Sequence, residues 1–158
     1  MIINSIKPHI IPDRLIYTSG DTSKIFSTKT GLQLGYIKTQ KKLLTDKDFY
    51  PNHQGLDSLY IKYLEVFTFA RRQGVGSELI KFAKHISRKI GAQGRLHCIA
   101  WNFEHPGNPP HKFYRANGFT TTNPKTNEAI DFAIKHDIPI HPRLTQGTPM
   151  YLKDFETK

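Results

Sequence analysis

Apolar and aromatic residues dominate the run from Leu59 to Phe69, on both of the faces that a β-strand would present. A strand that is apolar on both faces is typical of the interior of a sheet, so we predict a buried central strand here. From Glu78 to Ile90 the apolar positions recur at spacings of three and four residues, which predicts a helix with one apolar stripe. Gly91 is a natural end for that helix, because glycine readily adopts the left-handed conformation after a last helical turn.

Shorter segments on either side predict the remaining elements. Residues 1–12 contain two prolines and predict an irregular lead-in, and the polar segment 41–58 predicts a loop. The other strands are predicted over residues 13–19, 24–28, 32–39, 95–101, 119–122 and 150–155. The other helices are predicted over residues 109–117, with Asn108 as N-cap, and 128–136.

The composition favours a single domain with a basic surface. A chain of 158 residues fits one domain, 1–158, and its 23 Lys and Arg against 13 Asp and Glu give a formal net charge of +10. That charge attracts anions of any kind, including acidic substrates and RNA. The basic residues are scattered along the chain, so we favour a solvated basic surface over a dedicated nucleic-acid face.

The single cysteine, Cys98, rules out an intrachain disulfide and is compatible with a reducing cytosol. No apolar run reaches about 18 residues and no apolar stretch follows a basic start, so we expect a cytoplasmic protein without a membrane partner. The histidines show no convincing ligand spacing with a cysteine or carboxylate, so we predict no metal site. The weaker alternatives pair His105 with His111, or His136 with His141.

The segment Arg71-Arg72-Gln73-Gly74-Val75-Gly76-Ser77 joins the central strand to the helix. The first N–H groups of a helix have no partner inside it and carry partial positive charge, so this basic turn suits a phosphate group. Gly74 and Gly76 would let a ligand approach the main chain and would permit positive φ. Neither the P-loop nor the dinucleotide fingerprint fits, and two glycines alone more often mark an ordinary turn.

A second signal is Phe113-Tyr114-Arg115-Ala116-Asn117-Gly118-Phe119. Alone it predicts a short amphipathic helix that ends at glycine, with Phe113 and Phe119 in the core and Tyr114 half-buried. Its position changes this interpretation, because the order is strand, Arg-x-x-Gly-x-Gly, helix, strand, Phe-Tyr-x-x-x-Gly-Phe. That order and spacing resemble motifs A and B of the GNAT acyltransferase superfamily, over about residues 59–121.

The resemblance implies an α/β fold, α+β in some schemes, in which a mixed, largely antiparallel twisted sheet is flanked by helices. It implies acetyl-CoA as co-substrate, with the pantetheine arm bound along the backbone of Val66 and Phe67. Tyr114 matches the tyrosine that, in many members, protonates the leaving thiolate. The pyrophosphate would be held, mainly through N–H groups, by Arg71, Arg72, Gln73, Gly74, Val75, Gly76 and Ser77.

The chemistry of the side chains is consistent with these roles. A thiol has a pKa of about 8.5 and tyrosine about 10, so a positioned phenol can protonate a departing thiolate. An amine acceptor must lose a proton before it attacks, and Glu65 on the central strand is our candidate base, directly or through water. The equal alternative is a carboxylate paired with a neighbour such as Lys62. Glu104, His105 and His111 could line the acceptor side, although exposed loop positions are the simpler interpretation for them.

Two departures from the family pattern concern the wall of the acceptor site. Only residues 20–23 separate the first two predicted strands, so the helices that most members carry there are absent and the N-terminal helical region is reduced. Residues 123–149 instead form a long insertion, with its own helix, between the last two strands. We expect this insertion, together with the loop 41–58, to replace the missing wall.

The leading hypothesis is direct transfer of an acetyl group to a primary amine on a small molecule or protein, by a monomer or homodimer. Cys98 lies in mid-strand on an apolar face, a poor position for a nucleophile. The alternatives are a non-catalytic acyl-CoA-binding module and an acetyltransferase that acts on an RNA-linked amine.

Overall fold

The structure, a computed structural model, describes residues 8–101 and 109–157. Within these ranges, eight strands form one sheet in the order β1-β2-β3-β4-β5-β6-β8-β7. The strands are β1 His9–Ile11, β2 Arg14–Ser19, β3 Thr22–Ser27, β4 Gln33–Leu43, β5 Asp57–Val66, β6 Leu96–Ala100, β7 Phe119–Thr120 and β8 Thr148–Leu152. Neighbouring strands are antiparallel except β5 and β6, which are parallel. The expected mixed, largely antiparallel sheet is therefore confirmed.

Helices lie between the strands of the second half of the chain. They are a 3₁₀ turn at Thr68–Ala70 and the α-helices α1 Val75–Lys89, α2 His111–Ala116 and α3 Pro124–Lys135. The predicted helix after the basic turn is confirmed, and its apolar stripe is the face that is buried. The proposed N-cap Asn108 lies outside the described residues, and α2 begins at His111 after Pro110.

One face of the sheet and α1 together form the core. Ile16, Ile25 and Ile37 come from β2, β3 and β4 and are at most 1% exposed. Leu79 and Ala83 of α1 are fully buried in the same cluster. Removing this apolar surface from water is the main stabilising contribution to such a layer, at roughly 25 cal/mol per Å².

The predictions of irregular structure over residues 1–12 and 41–58 are wrong in part, because strands extend into both segments. His9–Ile11 is an edge strand paired with β2, because Pro8 and Pro12 flank it instead of interrupting it. β4 extends to Leu43 and β5 starts at Asp57, so both ends of the predicted loop 41–58 are strand.

The loop between β4 and β5 is anchored in the core by a tyrosine. Tyr50 is 2% exposed, and its hydroxyl lies 2.6 Å from the Leu152 carbonyl oxygen and 3.0 Å from that of Leu96. The same hydroxyl accepts a hydrogen bond from the Leu96 N–H at 3.1 Å. Burial raises the pKa of Tyr50 well above its usual value, so the hydroxyl keeps its proton.

The long insertion between β7 and β8 is confirmed, with α3 inside it. Asn123 caps α3 by accepting hydrogen bonds from two amides of its first turn, and Pro124 occupies the start of the helix. Ile130, Ala133 and Ile140 of the insertion are buried in the core. No helix precedes Thr68 in the part of the chain that the structure describes, as the reduced N-terminal region predicts.

Candidate active site at the end of the central strand

The basic turn leaves a helix N-terminus without internal partners. Gly74 precedes α1 with φ of 76°, in the left-handed region, and provides no side-chain cap. The first bond along α1 joins the Glu78 N–H to the Gly74 carbonyl at 3.0 Å. Within the described ranges no hydrogen bond forms from the N–H of Val75, Gly76 or Ser77. These amides carry partial positive charge and can bind an anion.

Two arginines stand beside these amides. Arg71 and Arg72 are exposed, and the Arg71 Nε lies 3.5 Å from the carbonyl oxygen of Val66 at the end of β5. Arg72 has φ of 64°, an uncommon backbone conformation for a residue with a side chain. The turn therefore adds two guanidinium groups to the positive end of α1.

Gly76 accommodates a neighbouring ring, a contact that the sequence does not reveal. A Cβ atom at this position would lie 2.6 Å from Cε1 and 2.8 Å from Cζ of Phe113. The missing side chain thus lets the Phe113 ring of α2 pack directly on the first turn of α1. The space beside the Gly76 Cα is therefore filled by Phe113, while Gly76 itself still lines the cavity described below. Gly74, in contrast, has open space where its Cβ would be.

The strands on either side of the site separate. β5 and β6 pair only from Leu59 with Leu96 to Ile61 with Cys98. β5 continues to Val66 beyond the last of these pairs, hydrogen-bonded on its other side to β4. A bulge between Lys38 and Thr39 of β4, where β5 carries an extra residue, marks the point of separation.

A cavity of about 340 Å³ occupies the region between the basic turn, the end of β5 and α2. Its lining includes eight residues that the sequence predicts for the site: Val66, Arg71, Arg72, Gly74, Val75, Gly76, Ser77 and Tyr114. The sequence did not predict five further lining residues: Leu64, Pro109, Pro110, Lys112 and Phe113. Four of these directly precede Tyr114, so the same motif could have indicated them.

Three predicted site residues do not line the cavity. Gln73 turns away from it, with its amide nitrogen 3.4 Å from the Phe69 carbonyl oxygen. Phe67 is half-buried beside Tyr36, with ring centroids 6.3 Å apart. Glu65 pairs across the strands with Tyr36 and lies on the face opposite Leu64 and Val66, because alternate residues of a strand point to opposite faces.

Tyr114 reaches the cavity from the buried side of α2. It is 6% exposed, and its ring lies 5.4 Å from that of Phe113 and 5.1 Å from that of Phe119. These contacts fix the direction of the ring. Phe119 is in the core as the sequence predicts, whereas Tyr114 is more deeply buried than the predicted half-buried position and Phe113 is only partly buried.

His111 anchors the start of α2 to the insertion. It is fully buried, and its Nε2 lies 2.9 Å from the Leu144 carbonyl oxygen and 3.0 Å from Oγ1 of Thr148. A carbonyl oxygen can only accept, so Nε2 carries the proton. Burial lowers the pKa of His111. Its position makes it a structural contact instead of the exposed acceptor-side residue that we expected, while Glu104 and His105 lie outside the described residues.

Three further expectations concern the loop between β4 and β5, a metal site and a membrane-spanning segment. The loop 44–56 packs at the start of β6, and neither this loop nor the insertion 123–149 contributes to the lining of the cavity. In residues 8–101 and 109–157 no three His, Cys, Asp or Glu side chains cluster as metal ligands. Over the same ranges, none of the helices has the length and apolar character needed to cross a membrane.

Comparison with known proteins identifies the architecture around this cavity. Residues 43–119 match the model of the acetyltransferase (GNAT) family, a range that contains β5, the basic turn, α1, β6 and α2. The chain has the GNAT fold. The family match covers just under half of the chain, and neither it nor the fold specifies an acceptor. A comparison with curated protein sequences found no match.

Solved structures share the fold at low sequence identity. A bacterial toxin is 15% identical, with 89% of this chain and 67% of that chain covered and a TM-score of 0.53. Nourseothricin acetyltransferase is 20% identical over 89% of this chain, which spans 65% of that protein, with a TM-score of 0.51. Arabidopsis thaliana Naa50, solved with the bisubstrate analogue CoA-Ac-MVNAL, is 18% identical, with 85% and 74% covered and a TM-score of 0.51.

Proposed function

We propose that this GNAT domain transfers an acetyl group from acetyl-CoA directly to a primary amine. The observation that carries the proposal is that the unpartnered amides of Val75, Gly76 and Ser77 and the side chains of Arg71 and Arg72 belong to one cavity. A diphosphate suits this site, because helix N-terminal amides and guanidinium groups both favour multiply charged oxygen anions. Gly74, which lies at the same turn with open space beside it, completes the cradle.

The separation of β5 from β6 provides a path from the cradle to the reacting atoms. In the proposal the backbone at Val66 and Phe67 holds the pantetheine arm where β5 has left β6. The thioester then lies in the cavity that Leu64 and Tyr114 also line. Lys112 lines the same cavity and adds a positive charge there, and Gln73 contributes to the cradle as part of the same turn.

Tyr114 is proposed as the general acid. Attack of the amine nitrogen on the thioester carbonyl forms the C–N bond, and the C–S bond breaks as the electron pair moves to sulfur. The Tyr114 hydroxyl donates its proton to that sulfur, and the proton lost by the amine balances the transfer. Cys98 is 1% exposed in the core, so an acetyl-cysteine intermediate has no support and transfer is direct.

Glu65 is proposed as the base, acting directly or through a water molecule. It lies on the opposite face of β5 from the cavity, beside Tyr36. An amine that approaches from this face reaches the acetyl group through the gap between β5 and β6. We further propose that the insertion 123–149, which contacts the start of α2 through Leu144 and His111, forms part of the acceptor wall.

The test has a binding arm and a turnover arm. Calorimetry of the wild-type chain with acetyl-CoA and with coenzyme A should show one binding site. The double variant Arg71→Ala/Arg72→Ala should weaken the affinity for both ligands by about ten-fold or more, because each lost guanidinium group removes a charge-assisted contact. Thiol release is then followed with a panel of small amines and peptides. Absence of coenzyme A binding would refute the proposal.

The panel also separates the alternatives. Coenzyme A binding without thiol release for any acceptor, including an aminoacylated RNA, would support the non-catalytic binding module. Release only with the aminoacylated RNA would support an RNA-linked amine, and its KM should then rise steeply between about 50 and 200 mM salt. Glu65→Gln should lower turnover with less effect on acetyl-CoA binding if Glu65 is the base.

A further inference from the structure

The N-terminal strand β2 reaches the basic turn through one arginine. Arg14 is the first residue of β2, and its Nη2 donates to the Gln73 carbonyl oxygen at 3.3 Å. Its Nε lies 3.2 Å from Oε2 of Glu78, in the first turn of α1. The two side chains are 14% and 27% exposed. Both facing atoms are buried and neither has a hydrogen-bond partner elsewhere among the described residues, so each depends on the other.

We propose that Arg14 is a positioning residue for the diphosphate cradle, which rests on the function proposed above. It acts in two ways: it neutralises the carboxylate of Glu78 and it fixes the peptide between Gln73 and Gly74. Arg14 itself does not line the cavity, so it has no direct contact with the bound anion.

The first effect is electrostatic. A carboxylate in the first turn of a helix is favourable by itself, but here it would oppose a diphosphate bound at the same helix end. Glu78 is only partly exposed, so water screens its charge incompletely. The guanidinium group of Arg14 cancels that charge and leaves the positive charge of Arg71, Arg72 and Lys112 at the site.

The second effect is geometric. A trans peptide is planar, and its C=O and N–H point in opposite directions. The Gln73 carbonyl points towards Arg14, which directs the N–H of Gly74 to the other side of the same plane. Gly74 lines the cavity and Gln73 does not, so this orientation presents an amide to the cavity instead of a carbonyl oxygen.

Calorimetry with coenzyme A on the wild-type chain and four variants tests both effects. Arg14→Met should raise the Kd of coenzyme A about ten-fold, because the uncompensated Glu78 then repels the diphosphate. Arg14→Met/Glu78→Gln should recover part of that loss, and Glu78→Gln alone should bind at least as tightly as the wild type. Arg14→Lys keeps the charge and loses the contact with the Gln73 carbonyl, so it isolates the geometric effect. It also replaces Arg14→Met if that variant does not fold.

A readout specific for the diphosphate excludes a general effect on folding. With S-acetylpantetheine, which has no diphosphate, the kcat/KM of Arg14→Met should equal that of the wild type at a temperature where both are folded. Equal coenzyme A affinity of Arg14→Met and wild type would overturn the proposal, as would a double variant no tighter than Arg14→Met. If the wild-type chain itself binds no coenzyme A, the proposed function is refuted instead, so the two failures are distinguishable.

Discussion

Strand β6 ends its pairing with its two neighbours in opposite ways. On the side of β8, pairing begins at His97 with Tyr151, and the next residues outward, Leu96 and Leu152, are bridged by the Tyr50 hydroxyl. On the side of β5, pairing stops at Ile61 with Cys98, and Leu64 and Val66, further along β5, line the cavity.

The difference shows how one strand can be closed at one end and open at the other. We call the place where Tyr50 bridges Leu96 and Leu152 the closed edge, and the place beyond Cys98 where β5 no longer pairs with β6 the open edge. Where pairing stops, backbone groups need partners, because a buried N–H or C=O without one costs about 1–3 kcal/mol. At the closed edge a side chain from a distant loop supplies the partner. At the open edge the proposal assigns that role to the co-substrate, so folding stability and binding should respond to different residues.

The largest expected effect belongs to the open edge. Tyr114→Phe removes the proposed acid and should lower kcat by a factor of about 10² to 10⁴. The Kd of acetyl-CoA should change little, because the ring and its contacts with Phe113 and Phe119 remain. Single-turnover thiol release and calorimetry measure the two quantities. Tyr17→Phe, at an exposed position on β2, is the matched control. Unchanged turnover in Tyr114→Phe would remove the tyrosine from the mechanism.

At the closed edge the expected effect is on stability. Tyr50→Phe leaves the Leu96 N–H and the Leu152 carbonyl without their buried partner, which should lower the free energy of unfolding by about 1–3 kcal/mol. Tyr151→Phe is a matched control, because the Tyr151 ring packs 4.6 Å from Tyr50 while its side chain is only half-buried. Urea unfolding and calorimetry should show lower stability with unchanged coenzyme A affinity. Weaker binding by fully folded Tyr50→Phe would contradict the separation of the two edges.

The sequence predicts the open edge well because its signals are local. The apolar run of β5, the glycine turn and the helical periodicity of α1 are contiguous, and φ > 0 at Gly74 follows from the turn. The lining residues Pro109, Pro110, Lys112 and Phe113 lie next to Tyr114 in the sequence, so little long-range information is needed to find them.

The closed edge could not be predicted in this way. Tyr50 lies in a polar segment, and its partners are 46 and 102 residues away in the chain. No local pattern specifies such a contact. The same holds for Gly76, whose neighbour Phe113 belongs to another helix, and for Arg14, which meets Gln73 at a separation of 59 residues. These contacts depend on how elements pack, which periodicity alone does not determine.

A smaller expected effect is a pH-dependent contribution of His97, in β6, to the free energy of unfolding. His97 is buried with its Nδ1 2.7 Å from the Ser58 hydroxyl, and burial, with Lys42 nearby, lowers its pKa from 6.5 to about 4. The unfolded chain therefore binds this proton at higher pH than the folded chain. The contribution of His97 is intact above pH 6.5 and is lost as pH falls towards 4, by about 2 kcal/mol between pH 7 and pH 5.

Urea unfolding at pH 7 and pH 5 measures this loss. His97→Gln removes the titrating group, so the variant should lose about 2 kcal/mol less than the wild type between the two pH values. His111, whose pKa is also lowered by burial, remains in the variant and should still contribute a loss in the same direction. An identical pH dependence in the two proteins would show that His97 does not titrate as its burial requires.

The smallest expected effect concerns an ion pair between α2, which contributes to the cavity, and α3. Arg115 of α2 donates hydrogen bonds to both carboxylate oxygens of Asp131 in α3, over 2.7 Å from Nε and 3.0 Å from Nη2. The Arg115 hydrogen bonds lower the pKa of Asp131, so the pair contributes at neutral pH and is lost as pH falls. Asp131 is largely exposed, and surface pairs contribute only about 0–1 kcal/mol.

Asp131→Asn should therefore change stability by less than about 1 kcal/mol, with Asp137→Asn as an exposed control on the same insertion. Because His111 and the buried Ile130 already hold the insertion against α2, the ion pair is not required to place Tyr114. Turnover with acetyl-CoA should thus stay near the wild-type value. A large loss of kcat in Asp131→Asn at unchanged stability would mean that α3 controls the position of Tyr114, and the open edge would then depend on the insertion as the closed edge depends on Tyr50.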